Sequence, residues 1–173
     1  MPLIIRSEQA GDHEAIREVV TLAFDDANVA RLVELIRASE HYVPELALVA
    51  EDGGVVVGHT MLSYALLEGA EPGRVLQLSP MAVAPVRQRQ GIGVALVTAA
   101  LDRAEQRGEP LVFLEGIPAY YPRFGFERAR DYGLDPPSPD IPDAAWMVRR
   151  LSAYRDDVRG RIMYPPAFDA VSH

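Results

Sequence analysis

Two hydrophobic rhythms alternate along the first half of the chain. Leu3 to Arg6 reads as a short strand, and from a start near Asp12, which can cap a helix, Ile16, Val19, Val20 and Phe24 recur at helical spacing. A second helix fits Asn28 to Ala38, with Val29, Leu32, Val33 and Ile36 on one face, and Ser39 to Pro44 follows as a loop. Leu46 to Glu51 and Val55 to Leu67 predict antiparallel neighbour strands around the hairpin signal Asp52-Gly53-Gly54. Val75 to Val83 is the next strand. Pro80 inside it predicts a bulge or splay, because proline has no N–H to give a ladder.

The pattern then lengthens. Gly91 to Arg107 carries Ile92, Leu96, Ala99 and Ala100 on one side, widened by Val97, Leu101 and Ala104, and Gly108 supplies a C-terminal cap. Leu111 to Glu115 predicts a short buried strand, Ala119 to Arg123 a short helix leading into a strand from Phe124, and Ala144 to Leu151 a final strand. Between these last two, Gly133 to Asp143 holds four prolines and reads as a loop. From Arg159 on, Tyr164-Pro165-Pro166-Ala167-Phe168 is too apolar for a free tail, so this stretch is expected to pack back on the domain. Residues 1–151 are expected to form one mixed α/β domain, with 152–173 as an extension packed on it.

Chemistry enters where the strand Met81-Ala82-Val83 breaks at Ala84-Pro85 and passes through Gln88-Arg89-Gln90-Gly91-Ile92-Gly93-Val94 into the long helix. The first turn of a helix presents amide donors without intrahelical partners and a partial positive charge, so an anion belongs there. Glycines at 91 and 93 would let a phosphate approach the backbone. A Walker loop is excluded, because all 17 basic residues are arginine. A dinucleotide fingerprint is weak, since Leu96 stands where its third glycine or alanine belongs and no acidic residue ends a second strand about 20 residues on.

Charge and cysteine content narrow the field. A net charge of −8 disfavours nucleic acid and favours basic or amine substrates. No cysteine is present, which removes thiolate catalysis and cysteine-built zinc sites. With neither a signal-peptide pattern nor an apolar run near the ~20 residues a membrane span needs, the expected place is the cytoplasm.

The segment Gln88-x-x-Gly91-x-Gly93, following Val83-Ala84-Pro85, resembles the acetyl-CoA signature of the GNAT superfamily of N-acetyltransferases. A second motif, Tyr120-Tyr121-Pro122-Arg123-Phe124-Gly125-Phe126, resembles that family's later helix-to-strand junction, in which a tyrosine precedes a Gly-Phe pair by four residues. It is also similar to a bacterial acetyltransferase subgroup with a Tyr-Tyr-x-x-Phe-Gly-Phe motif. The resemblance implies a GNAT fold, a mixed and mostly antiparallel sheet with splayed central strands flanked by helices. It further implies transfer of an acetyl group from acetyl-CoA, without a metal, to a small amine or protein amine by direct attack. Other short acyl groups stay open, as does a non-catalytic acyl-CoA sensor. Dimers are common in that family, and the final strand is the candidate for pairing across an axis.

Resemblance implies roles as well. Gln88, Arg89, Gln90, Gly91, Ile92, Gly93 and Val94 would hold the coenzyme's diphosphate, while Met81, Ala82 and Val83 would pair with its pantetheine arm, the Met81 amide facing the oxyanion. Tyr121 is the expected general acid, since a phenol keeps its proton at neutral pH, with Tyr120 in reserve. Glu115, at the C-terminal end of its strand, is the candidate base. His59 reads as a structural hydrogen-bonding residue. Glu40 and His41 are candidates for acceptor specificity, which is expected to reside in Ser39 to Pro44 and Gly69 to Gly73. Leu114 replaces an asparagine that contacts pantetheine in many family members.

Overall fold

A nine-stranded sheet organises the computed structural model, which describes residues 3–69 and 72–169. In chain order the elements are β1 (Leu3–Ser7), α1 (His13–Phe24), α2 (Ala27–Arg37), β2 (Ala47–Asp52), β3 (Val55–Glu68), β4 (Gly73–Val83), α3 (Ile92–Gln106), β5 (Leu111–Glu115), β6 (Glu127–Arg128), β7 (Leu134–Asp135), β8 (Trp146–Arg150), β9 (Gly160–Met163) and α4 (Pro166–Asp169). The strand order is β1-β2-β3-β4-β5-β8-β6, with β9 pairing both β3 and β7. All pairs are antiparallel except β4 with β5 and β7 with β9.

Strand alternation gives the sheet two apolar faces. On one, Leu62, Leu76, Leu78, Val112 and Leu114 pack under α3 through Leu96, Val97 and Ala100. On the other lie two separate clusters. Met61, Ala82 and Val49 meet α1 and α2 through Ile16, Val20, Val33 and Ile36. Further along, Ala65, Leu67, Val75 and Phe113 meet Trp146, Val148 and Ile162. The indole N–H of Trp146, fully buried, donates to Leu134 O at 3.0 Å.

Several expectations change. Asp12 places no side-chain hydrogen bond on α1; its carboxylate instead accepts from the Gln9 amide at 2.8 Å and pairs with Arg6, which closes the preceding turn. Phe24, the last residue of α1 before the left-handed Asp25, is 44% exposed and does not join the buried stripe of Ile16, Val19 and Val20. The helix at Ala119 to Arg123 is a four-residue 3-10 turn, Tyr121–Phe124, and the strand from Phe124 shrinks to β6. Within the proline-rich loop Leu134–Asp135 pairs with β9, so the strand ending at Leu151 is not the last. β8 lies between β5 and β6, which fills both its edges at Met147 and Val148, where pairing across an axis was expected. No described helix is long and apolar enough to cross a membrane.

A polar cluster lies beneath α2. Arg37 Nε and Tyr42 Oη donate to Glu8 Oε2 at 2.7 and 2.8 Å, and the Nδ1 of fully buried His59 lies 2.9 Å from Leu48 O. His59 therefore has the structural role its sequence context predicted. Burial pushes its imidazole down to about 4, against the pull of the Glu8 charge. Burial would raise Glu8, but hydrogen bonds from Arg37 and Tyr42 outweigh it and hold the carboxyl below its usual value.

Both shifts have the same sign for stability. Between about 4 and the ordinary histidine value of 6.5, the unfolded chain binds a proton on His59 that the folded chain refuses, so stability falls as pH drops through that window. Glu8 extends the loss below 4.5. Thermal unfolding measured from pH 7.5 down to 4 should show a falling midpoint. His59→Gln should flatten the upper part of that fall, worth up to roughly 3 kcal/mol.

Candidate active site

β4 and β5 run parallel side by side only at Leu76↔Val112 and Gln77↔Phe113, then part. The cause is local to β4. Between Leu78 and Met81 it advances three residues while β3 advances two, and Thr60 Oγ1 donates to Pro80 O at 3.0 Å, anchoring the extra residue. This is the splay that Pro80 predicted. The Ala84 amide donates to Val57 O at 2.9 Å, so ladder alternation turns the amides of Val83 and Met81 away from β3, toward the opening left by β5.

The chain after β4 closes one end of this opening. Gln88 Nε2 donates to Val83 O at 3.2 Å, and Arg87 reaches both Gln90 Oε1 and Asp52 Oδ2, at 3.0 and 2.6 Å, pinning the loop to the β2–β3 hairpin. Gly91 is the residue before α3, with φ of +84°, and no side chain among the described residues caps the helix. The first helical bond in this turn is Ala95 N–H to Gly91 O at 3.1 Å, which leaves the amides of Ile92, Gly93 and Val94 without a protein acceptor among the described residues. Arg89 is exposed, holds a left-handed φ of 66°, and makes no ion pair among the described residues. A set of free donors with a free cation beside it suits a diphosphate.

Gly91 and Gly93 serve different ends. A Cβ on Gly91 would meet nothing within 4 Å, so that position needs glycine for its backbone angle. A Cβ on Gly93 would lie 2.9 Å from Tyr120 Oη and 3.3 Å from Met81 Sδ, so this glycine makes room for the protein's own side chains. The two tyrosines thus flank the opening. Tyr120 stands on the α3 and β4 side, with Arg123 4.4 Å over its ring. Tyr121 stands on the β5 side, where a Cβ on Gly116 would strike its ring at 2.6 Å, and it packs edge-on against Phe126. Burial pushes the Tyr121 phenol up to about 12 and raises Tyr120 in the same direction.

Glu115 ends β5 with an exposed carboxylate that accepts from Tyr164 Oη at 3.4 Å. Leu114 is buried on the α3 side and offers no polar contact. Glu40 and His41 sit elsewhere, in an open groove of about 600 Å³ that they line with Leu35, Ser39, Leu66, Pro166 and Ala167. No residue assigned to the coenzyme or to catalysis lines that groove. Residues 70 and 71 of the second proposed specificity loop lie outside the described residues. Among the described residues no three of His, Asp and Glu gather to hold a metal ion. Ser63 and Gln77 were not singled out from sequence, and Tyr164 only as part of the apolar C-terminal stretch; the first two interrupt apolar strands at inward-facing positions, which is the signal they carry.

The family model described as the acetyltransferase (GNAT) domain matches residues 4–129. The uncharacterized N-acetyltransferase YjhQ of Escherichia coli is 36% identical over 156 residues, 87% of this chain and 86% of its own length. The solved GNAT family N-acetyltransferase YhbS from Escherichia coli, in complex with CoA, superposes with a TM-score of 0.86 at 31% identity, covering 96% of this chain and 92% of that one. A GNAT family acetyltransferase from Brucella melitensis in complex with acetyl-CoA gives a TM-score of 0.79 at 30% identity, covering 97% and 99%.

Proposed function

This chain belongs to the GNAT family of acetyltransferases, and we propose that its β4–β5 opening is where acetyl-CoA meets a primary amine. The protein is an N-acetyltransferase with acetyl-CoA as co-substrate, as its similarity to the CoA-bound and acetyl-CoA-bound relatives supports. The observation that carries the placement is the uncapped start of α3 at Gly91, with its donors and Arg89 at the mouth of the opening. The amides of Ile92, Gly93 and Val94 receive the diphosphate, Gln88 and Gln90 hold the loop that presents them, and the edge of Met81, Ala82 and Val83 receives the pantetheine arm.

With the thioester laid along β4, the amine nitrogen attacks the acetyl carbonyl, the N–C bond forms and charge develops on oxygen. The outward-turned Met81 amide lies where it can stabilise that oxyanion. Glu115 accepts the amine proton directly or through water. As the C–S bond breaks, Tyr121 donates its proton to the departing thiolate; a phenol raised to about 12 still carries that proton at neutral pH. Tyr120 is a second candidate for this donor on one specific observation, the approach of its hydroxyl to Gly93. The cytoplasm, where acetyl-CoA is supplied, is the proposed place of action.

An acceptor screen read by free thiol tests this reading. Polyamines, aminoglycosides, amino acids and peptide N-termini form the panel, and thiol release that depends on one of these amines is the expected result. Tight acetyl-CoA binding with no amine-dependent release across the panel would count against amine transfer.

A further inference from the structure

Between the two apolar clusters on the α1 and α2 face of the sheet lies a polar interruption. Ser63 on β3 and Gln77 on β4 are direct cross-strand partners, 1% and 4% exposed. Among the described residues neither Ser63 Oγ nor Gln77 Oε1 has a hydrogen-bond partner. Leaving two such atoms unpaired in a core is costly, so their position calls for a hydrogen-bonding partner. Gln77 is the register partner of Phe113, and Glu115 lies two residues further along β5 on the same face, roughly 7 Å past Phe113 by strand rise.

The C-terminal strap runs past this place. β9 pairs with β3 on the edge opposite β4, and beyond it Phe168 of α4 packs on the cluster beneath α2. Tyr164 lies between them and reaches Glu115 on β5, with β3 and β4 intervening in the sheet. The Tyr164–Glu115 contact, at 3.4 Å, is a long bond on an exposed carboxylate.

We propose that Ser63 and Gln77 select the acceptor: a primary amine that carries a second hydrogen-bond donor a few bonds away, received by Gln77 Oε1 and Ser63 Oγ while the amine faces Glu115. This rests on the amine-transfer reading above and adds the acceptor's chemical class to it. An alcohol and an amide both supply such a donor. A buried water bridging the two side chains is the competing occupant.

Three probe amines separate these cases: pentylamine, aminobutanol, which puts a hydroxyl in place of the terminal methyl, and aminobutanamide. The wild-type protein should use one or both donor-bearing amines about tenfold or more better than pentylamine in kcat/KM, since a site built to receive a donor rejects its absence. In the Ser63→Ala, Gln77→Leu double variant that ratio should fall to near one, with acetyl-CoA affinity unchanged. Either single variant should lower it part-way, which keeps the test alive if the double variant does not fold. An unchanged ratio in the variants, or a drop in melting temperature without a change in ratio, assigns the pair to a structural water and overturns the proposal. Wild-type turnover of none of the three, with acetyl-CoA still bound, also overturns it, while the amine-transfer reading stands or falls on the wider acceptor screen.

Discussion

Gly91→Glu is expected to weaken acetyl-CoA binding by about two orders of magnitude and to leave the protein folded. The new carboxylate would stand at the start of α3, beside the amides proposed to receive the diphosphate, and would both occupy those donors and repel the ligand. Stability should change little. An L residue at a φ of +84° costs on the order of 1 kcal/mol, but an acidic group at a helix N-terminus returns part of that through the dipole. Gly91→Ala separates the two effects. Its Cβ meets nothing within 4 Å, so it carries the backbone strain without the charge and should lose only a few-fold in affinity. Calorimetric titration of both variants with acetyl-CoA, next to their melting temperatures, reads the result.

Tyr121→Phe should lower kcat by about 10²- to 10³-fold with the affinity for acetyl-CoA unaltered, the pattern of a lost proton donor. The ring is nearly buried and packs through its edges, so phenylalanine keeps the contacts with Phe124 and Phe126. Tyr120→Phe should be milder, because its hydroxyl lies on the α3 side of the opening. A reversal of that order, with Tyr120→Phe the more damaging, would transfer the donor role to the residue that touches Gly93. Loss of coenzyme affinity in either variant would mean that the hydroxyl serves binding and not proton transfer.

Much of the coenzyme side was legible in the chain because its signals are local. Gly91 ahead of a long apolar helix, and Pro80 inside a strand, each force a backbone outcome within a few residues, and the uncapped α3 start and the parting of β4 from β5 follow. The contacts of the proposed acceptor side were not legible, because they span the chain. Tyr164 meets Glu115 across 49 positions, and Ser63 meets Gln77 only through the β3–β4 register. Local pattern also misplaced the short elements. Residues 134–135 looked like loop because four prolines crowd the stretch Gly133 to Asp143, yet they pair with β9, a strand too short to announce itself. Gly93 was read as clearance for a phosphate, whereas its clearance is filled by Tyr120 and Met81, a contact set by how a distant turn folds back.

The most direct test of the anchor at α3 is to compare, by calorimetry on the wild-type protein, the binding of coenzyme A with that of pantetheine, which lacks the diphosphate and nucleotide. Unpaired main-chain donors at Ile92, Gly93 and Val94 predict that pantetheine binds at least about 100-fold more weakly, and that added salt weakens coenzyme A binding much more than pantetheine binding. Equal affinity for the two, insensitive to salt, would contradict the account.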